Sequence, residues 1–170
     1  TYPGAQGLPT MPCFGVEWAL PSSIDHLRFY GLGPVEAYAD RLDGANLGVW
    51  EDTAVQGLAP YAVPQECGYH PGTRWCEVRD AEGHGLRIEA RGELGVSLLP
   101  YSSAQIAQAG HWWEMPAPKQ RAATYLLLLT AQMGVGGADS WGSPVHVEFP
   151  LDASATQAPA GTTSPLCCDT

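Results

Sequence analysis

Turn-forming residues punctuate this chain so densely that long helices are excluded from nearly all of it. Twenty glycines and 15 prolines are spread over 170 residues. Between these breaks lie short stretches of mixed apolar and polar residues, at 14–20 (FGVEWAL), 27–30, 75–79, 85–90 and 96–99. Such segments, bounded by Gly, Pro or Asp, read as strands. Residues 125–130 (YLLLLT) are almost continuously apolar, which suits a strand buried on both faces. Residues 145–151 alternate again and read as a last strand. Helical character is confined to 103–110, where Ser102 or Ser103 can cap, Ile106 can face a core and Gly110 can stop the helix. The expectation is an all-β sandwich formed by a single domain over residues 1–151. The tail, 152–170, is small, polar and proline-bearing over most of its length, and is expected to be disordered or loosely attached.

Charge narrows the function classes. Eighteen acids against 8 bases give a net charge of −10, which disfavours nucleic-acid backbones and anionic membranes as partners. No apolar run reaches the ~18 residues of a membrane span. Residues 1–10 have neither a basic n-region nor an apolar h-region, so no secretory signal is expected there and a cytoplasmic setting is the expectation. Cys13, Cys67, Cys76, Cys167 and Cys168 form no C-x-x-C pair, and reduced bystander thiols fit that setting. Cys67 and His70 lie three residues apart, but no orienting group for a thiol–imidazole pair is identifiable, so Cys67 reads as a small buried hydrophobe. The five histidines are scattered, and no metal-ligand spacing exists. His111, Trp112 and Trp113 read as packing plus a buried hydrogen bond. Glu36, Asp40 and Arg41 read as a polar network securing the turn after Gly33–Pro34.

The segment most suggestive of a binding role is 132–142, QMGVGGADSWG. Three glycines follow an apolar strand and lead to one large aromatic, with a fourth directly after it. Glycines serve where the backbone takes positive φ or makes a close approach. The loop therefore reads as a device holding Trp141 in place, either to stack on a flat apolar ligand face or to plug the end of a sandwich.

The same segment resembles the QMGVGGDDSWG signature of the large β-galactosidases of glycoside hydrolase family 2. Further segments are similar in the same order: residues 11–16 (MPCFGV) to the family's P-R-x-G strand, and Phe29–Pro34 with Glu36, Tyr38, Asp40 and Arg41 to WYGxGPxExYxDR. Residues 60–68 (PYAVPQECG) resemble PYxxPQENG, with Arg74–Trp75 as the RW pair, and residues 99–102 with His111 fit LPYT…AxH. The resemblance runs from about Pro9 to Leu151. It implies the second half of the C-terminal small-chain domain, an antiparallel β-supersandwich of the galactose-mutarotase-like type that is incomplete here.

In that family the two catalytic carboxyls of a retaining glycosidase, about 5 Å apart, sit on a separate TIM barrel, and 170 residues cannot hold one. The resemblance thus implies a chain with no catalytic residue that completes the sugar site and a domain interface. Trp141 would stack on the galactoside or acceptor sugar, with Gly136, Gly137, Asp139 and Ser140 supporting its loop. The implied partners are the β-galactosidase barrel and β-galactoside sugars, with no nucleic acid or membrane. No cofactor is expected on this chain, since magnesium and sodium belong to other domains of the family enzyme. Cys13, Cys67 and Ala138 stand where the family pattern has Arg, Asn and Asp. Two other readings stay open: a free-standing carbohydrate-binding module using Trp141 with Trp112 or Trp113, and an aldose-mutarotase-like enzyme, for which no acid–base pair can be assembled.

Overall fold

The computed structural model describes residues 11–134, 149 and 151. Within them, six strands form one antiparallel sheet: β1 (Cys13–Pro21), β2 (His26–Gly33), β3 (Asn46–Thr53), β4 (His70–Arg79), β5 (Gly85–Leu99) and β6 (Ala123–Gln132). Their spatial order is β1-β6-β5-β4-β2-β3. The all-β expectation therefore holds. One short helix, α1 (Ser103–Gln108), and two 3₁₀ turns, Trp112–Glu114 and Pro118–Gln120, fill the connection from β5 to β6.

The pairing register sorts the side chains. Phe29 lies opposite Cys76 and Cys76 opposite Ile88, while Val96 faces Leu128 and Leu98 faces Leu126. Period-2 alternation puts all of these on one side of the sheet. They form the main core with Leu27, Val78, Leu94 and Ala54, and Trp18, Trp50 and Ile24 pack at its margin.

The opposite face is divided. Over β5 and β6 it is apolar: Leu127 and Leu129 pack with Tyr69, and Leu99 packs with Cys67, Tyr101 and Ile106 of α1. The connection between β3 and β4 and the helix cover this part, which is why residues 94–99 are buried on both sides. Over β2, β4 and the first half of β5 the same face is open and charged. Arg28, Arg79 and Arg87 surround Glu77, and the Arg87 guanidinium lies 4.5 Å above the Trp75 ring.

Local differences from expectation have physical causes. Residues 85–90 and 96–99 are not two strands but parts of the single 15-residue β5. Gly92, at φ 117°, carries the chain through the polar interruption without ending the pairing. Strand β3 has no counterpart among the strands expected from the sequence; it is an edge strand with the polar end Glu51–Asp52–Thr53. The helix stops at Gln108 rather than Gly110. It begins as expected, with Ser102 and Gln105 forming a reciprocal capping box.

Candidate functional site

Trp141 and its supports Gly136, Gly137, Asp139 and Ser140, with Ala138, lie outside the described residues, as does most of 145–151. The two ends of the intervening loop are described, and they meet. The Gly134 N–H donates to the Phe149 carbonyl at 3.2 Å, and the Met133 N–H donates to the Pro12 carbonyl at 2.8 Å. Gly134 and Phe149 thus meet where β6 ends beside the start of β1. Gly134 is buried. A Cβ added there would stand 2.8 Å from the Phe149 Cβ and 3.0 Å from the Cβ and Cγ of Asp40, so only glycine fits that approach.

Asp40 belongs to the polar segment that follows β2. The Gly33–Pro34 bond is cis, and the chain then turns back, with the Arg41 N–H donating to the Tyr38 carbonyl at 2.9 Å. Ala39 and Asp40 form the tip of this turn, and Glu36 anchors it. One Glu36 carboxylate oxygen accepts the Gly68 N–H at 2.5 Å. The other accepts from Arg41 at 3.1 Å and from the Tyr61 hydroxyl. Arg41 also donates to the Tyr61 oxygen at 3.1 Å. Tyr38 completes the node: its hydroxyl donates to the Glu66 carbonyl and accepts from the Gln65 amide at 2.7 Å.

Gly68 allows the node to close. It sits at φ +65°, and a Cβ there would meet the Gly57 carbonyl oxygen at 2.6 Å. Burial first, then the Glu36 carboxylate, pushes the Tyr61 hydroxyl up to about 12. Burial likewise raises Tyr38 above its ordinary range. Both therefore stay protonated and act as fixed donors. A shallow groove lined by Val35, Glu36, Ala37, Arg41, Gly44 and Ala45 opens beside the node.

The expected Glu36–Asp40–Arg41 network is present in its Glu36–Arg41 pair. Its partners Tyr61, Gln65 and Gly68 are visible in the sequence only as pieces of a motif with no role. Their separations from Glu36, 25 residues for Tyr61 and 32 for Gly68, put them beyond any periodic pattern.

Other candidates resolve differently. Cys67 is 2 % exposed, and burial pushes its thiol up to about 12, so it is a packed hydrophobe as expected. His70 stacks on Phe29 at 4.1 Å and turns Nε2 towards Asp52 at 3.9 Å; it serves the core face, away from the cluster that holds Cys67. The His111–Trp112–Trp113 trio is not buried. Trp112 is 41 % and Trp113 67 % exposed, His111 stacks on Trp113 at 4.3 Å, and its Nδ1 lies 3.3 Å from Glu114. An apolar tripeptide predicts burial only if another element covers it, and none of the described residues does.

Among the described residues no group of three or more His, Cys, Asp or Glu is arranged to hold a metal ion. No helix among them is long and apolar enough to cross a membrane.

Residues 2–159 match the family described as β-galactosidase small chain. The chain is 52 % identical over 158 residues to the β-galactosidase BgaC of Bifidobacterium adolescentis, an alignment spanning 89 % of this chain and 15 % of that protein. To the β-galactosidase of Lactobacillus delbrueckii subsp. bulgaricus it is 45 % identical over 153 residues, again spanning 89 % and 15 %. To the β-galactosidase small subunit of Latilactobacillus sakei it is 36 % identical over 165 residues, spanning 91 % of this chain and 50 % of that subunit. The chain thus spans 15 % of the length of the full β-galactosidases and half of the small subunit. With strands, polar node and loop ends laid out as above, this chain belongs to the β-galactosidase small-chain family.

Proposed function

We propose that this chain is a non-catalytic part of a β-galactosidase that completes the sugar site, with Trp141 stacking on the galactoside or acceptor sugar. The observation that carries this reading is a family match running almost the whole length of the chain, to proteins named β-galactosidases in which it accounts for 15 % of the length. The hydrolytic machinery then lies in the remaining 85 % or so of such an enzyme, together with the magnesium and sodium sites. The small-chain domain is completed as a supersandwich by sequence outside this chain, in keeping with the half-length match to the small subunit.

The chemistry of the stack is simple. The axial C–H face of a pyranose is apolar, and an indole offers a broad face with little rotamer freedom to lose. Asp139 and Ser140 brace the loop through backbone hydrogen bonds of the kind short polar side chains make in turns. The hydrogen bond between the Gly134 N–H and the Phe149 carbonyl supports this reading, because it joins the two ends of the segment that carries Trp141.

The test is hydrolysis of a chromogenic β-galactoside by the purified chain, alone and mixed with a β-galactosidase from which this segment has been deleted. Activity in the mixture alone is expected. Silence in both, from a folded monomeric chain that binds sugar by itself, would instead identify a free-standing carbohydrate-binding module. In the active assembly, Trp141→Ala should weaken binding of a β-galactoside by about fivefold, equivalent to the ~1 kcal/mol of an aromatic stack. Unchanged affinity would remove the stacking role.

A further inference from the structure

The two outermost strands among the described residues are finished differently. Strand β1 carries a register shift between Phe14 and Gly15 and ends in Pro21, and bulges and prolines are among the devices that keep an edge from pairing further. Strand β3, at the other end of the order, has neither. It pairs with β2 in unbroken register over all eight of its residues, from Asn46 opposite Gly33 to Thr53 opposite His26. Its sequence, NLGVWEDT, holds no proline or lysine, and its acids are confined to one end. Its indole turns inward and leaves the outer edge clear. Trp50 Nε1 donates to the Asn46 carbonyl at 3.2 Å, and the ring lies over Gly33 of β2, where a Cβ would stand 2.6 Å from it.

The face of β3 is as open as its edge. Leu47 and Val49 are each 49 % exposed, on the side of the sheet that carries their β2 partners Leu32 and Tyr30. Two residues beyond Val49, the Glu51 side chain is 77 % exposed although Arg28 lies 3.5 Å away. An unguarded edge beside exposed alternate apolar residues is what an added strand uses, main chain for hydrogen bonds and side chains for contact. The chain also spans only half of the small subunit it matches. We propose that β3 is the seam of the small-chain domain, where a strand from the half outside this chain pairs along Asn46–Thr53 and extends the sheet. The inference rests on the reading above that sequence outside this chain completes the domain, and deepens it by naming the surface. The incoming strand carries apolar residues opposite Leu47 and Val49 and a lysine or arginine opposite Glu51, since directly facing pairs of these kinds are favourable.

The experiment follows hydrogen exchange of peptides covering residues 46–53 in the purified chain alone and in the complete β-galactosidase containing it. In an edge strand of an antiparallel sheet about half of the amides point away from the neighbour. Those amides should exchange within seconds in the chain alone and at least about tenfold more slowly in the complete enzyme. The Leu47→Lys/Val49→Lys double variant should melt within about 2 °C of the wild type as a chain alone, because both sites are exposed. In the complete enzyme the same variant should lose most of the added protection, with exchange at 46–53 quickened by about fivefold or more. Val63→Lys, at an apolar site 66 % exposed and outside the strand, should leave exchange at 46–53 unchanged in both.

Equal exchange at 46–53 in the chain and in an enzyme that needs the chain for hydrolysis would overturn the seam and leave the small-chain reading intact. So would protection that survives the double lysine variant, or protection that appears in the chain alone as its concentration rises, which would make a second copy the occupant. Full hydrolysis by the enzyme with this chain deleted would overturn the small-chain reading, and this inference with it.

Discussion

Glu36 is the residue whose removal should cost this fold most for a side chain that contributes so little to the apolar core. Its side chain is 15 % exposed, and it is the acceptor for three donors drawn from two connections, β2–β3 and β3–β4. In Glu36→Ala the Gly68 N–H, which is buried, is left without its partner, a cost of about 1–3 kcal/mol. The pairing with Arg41 adds less than about 1 kcal/mol, because that guanidinium is 46 % exposed and well screened. The half-buried Tyr61 hydroxyl recovers part of its loss from water. The sum is about 3 kcal/mol, or a fall of roughly 6–12 °C in melting temperature for a domain of this size. Glu36→Gln keeps an acceptor for Gly68 and gives up the charge, so it should cost only about 1 kcal/mol. Thermal and urea melts of the two purified variants decide the matter. Equal losses would mean that charge, rather than the buried acceptor, holds the node; a loss below about 1 kcal/mol in Glu36→Ala would mean that water satisfies Gly68.

Three further outcomes are expected. Gly68→Ala should destabilise by about 1–2 kcal/mol from the left-handed backbone alone, and by more once the contact with the Gly57 carbonyl is counted; an unchanged melting temperature would contradict the closure described here. Iodoacetamide should label Cys13, partly buried and with its thiol also raised by burial, slowly in the folded chain, while Cys67 and Cys76, buried and with thiols pushed up to about 12, react only on unfolding; mass spectrometry of timed digests reads this directly. The hydrogen bond from Arg87, with Arg79 and Arg28 nearby, holds the Glu77 carboxyl below its usual range. Its stabilisation is therefore complete above the unfolded pKa of about 4.3 and lost as pH falls through the lower folded value, so the acid limb of a stability–pH profile should flatten in Glu77→Gln, and an unaltered limb would deny the linkage.

Several features are legible without coordinates because their causes are local. Alternation and punctuation locate five of the six strands, and Ser102 or Ser103 announces the helix start as a local cap. The leucine run at 126–129 announces burial on both faces, which the core, the Tyr69 cluster and the α1 cover supply. Cys67 reads correctly as packing because a small apolar side chain with no orienting partner has little else to do.

What escapes the sequence depends on neighbours distant along the chain. Strand β3 is an edge strand among the described residues, and an edge tolerates Glu51 and Asp52, so it lacks the alternation that marks a half-buried strand. Whether Gly92 ends a strand or carries it onward is settled by the pairing of β4 with both halves of β5. Trp112 and Trp113 look like core residues in any local window, and only the absence of a covering element among the described residues leaves them exposed. The sequence by itself determined an all-β chain, its family motifs and the glycines that a close approach demands. Tertiary structure alone decided that Glu36 should reach Tyr61 and Gly68, and that Asp40 should meet Gly134, because hydrogen bonds and packing are fixed by distance in space and leave no period in the chain.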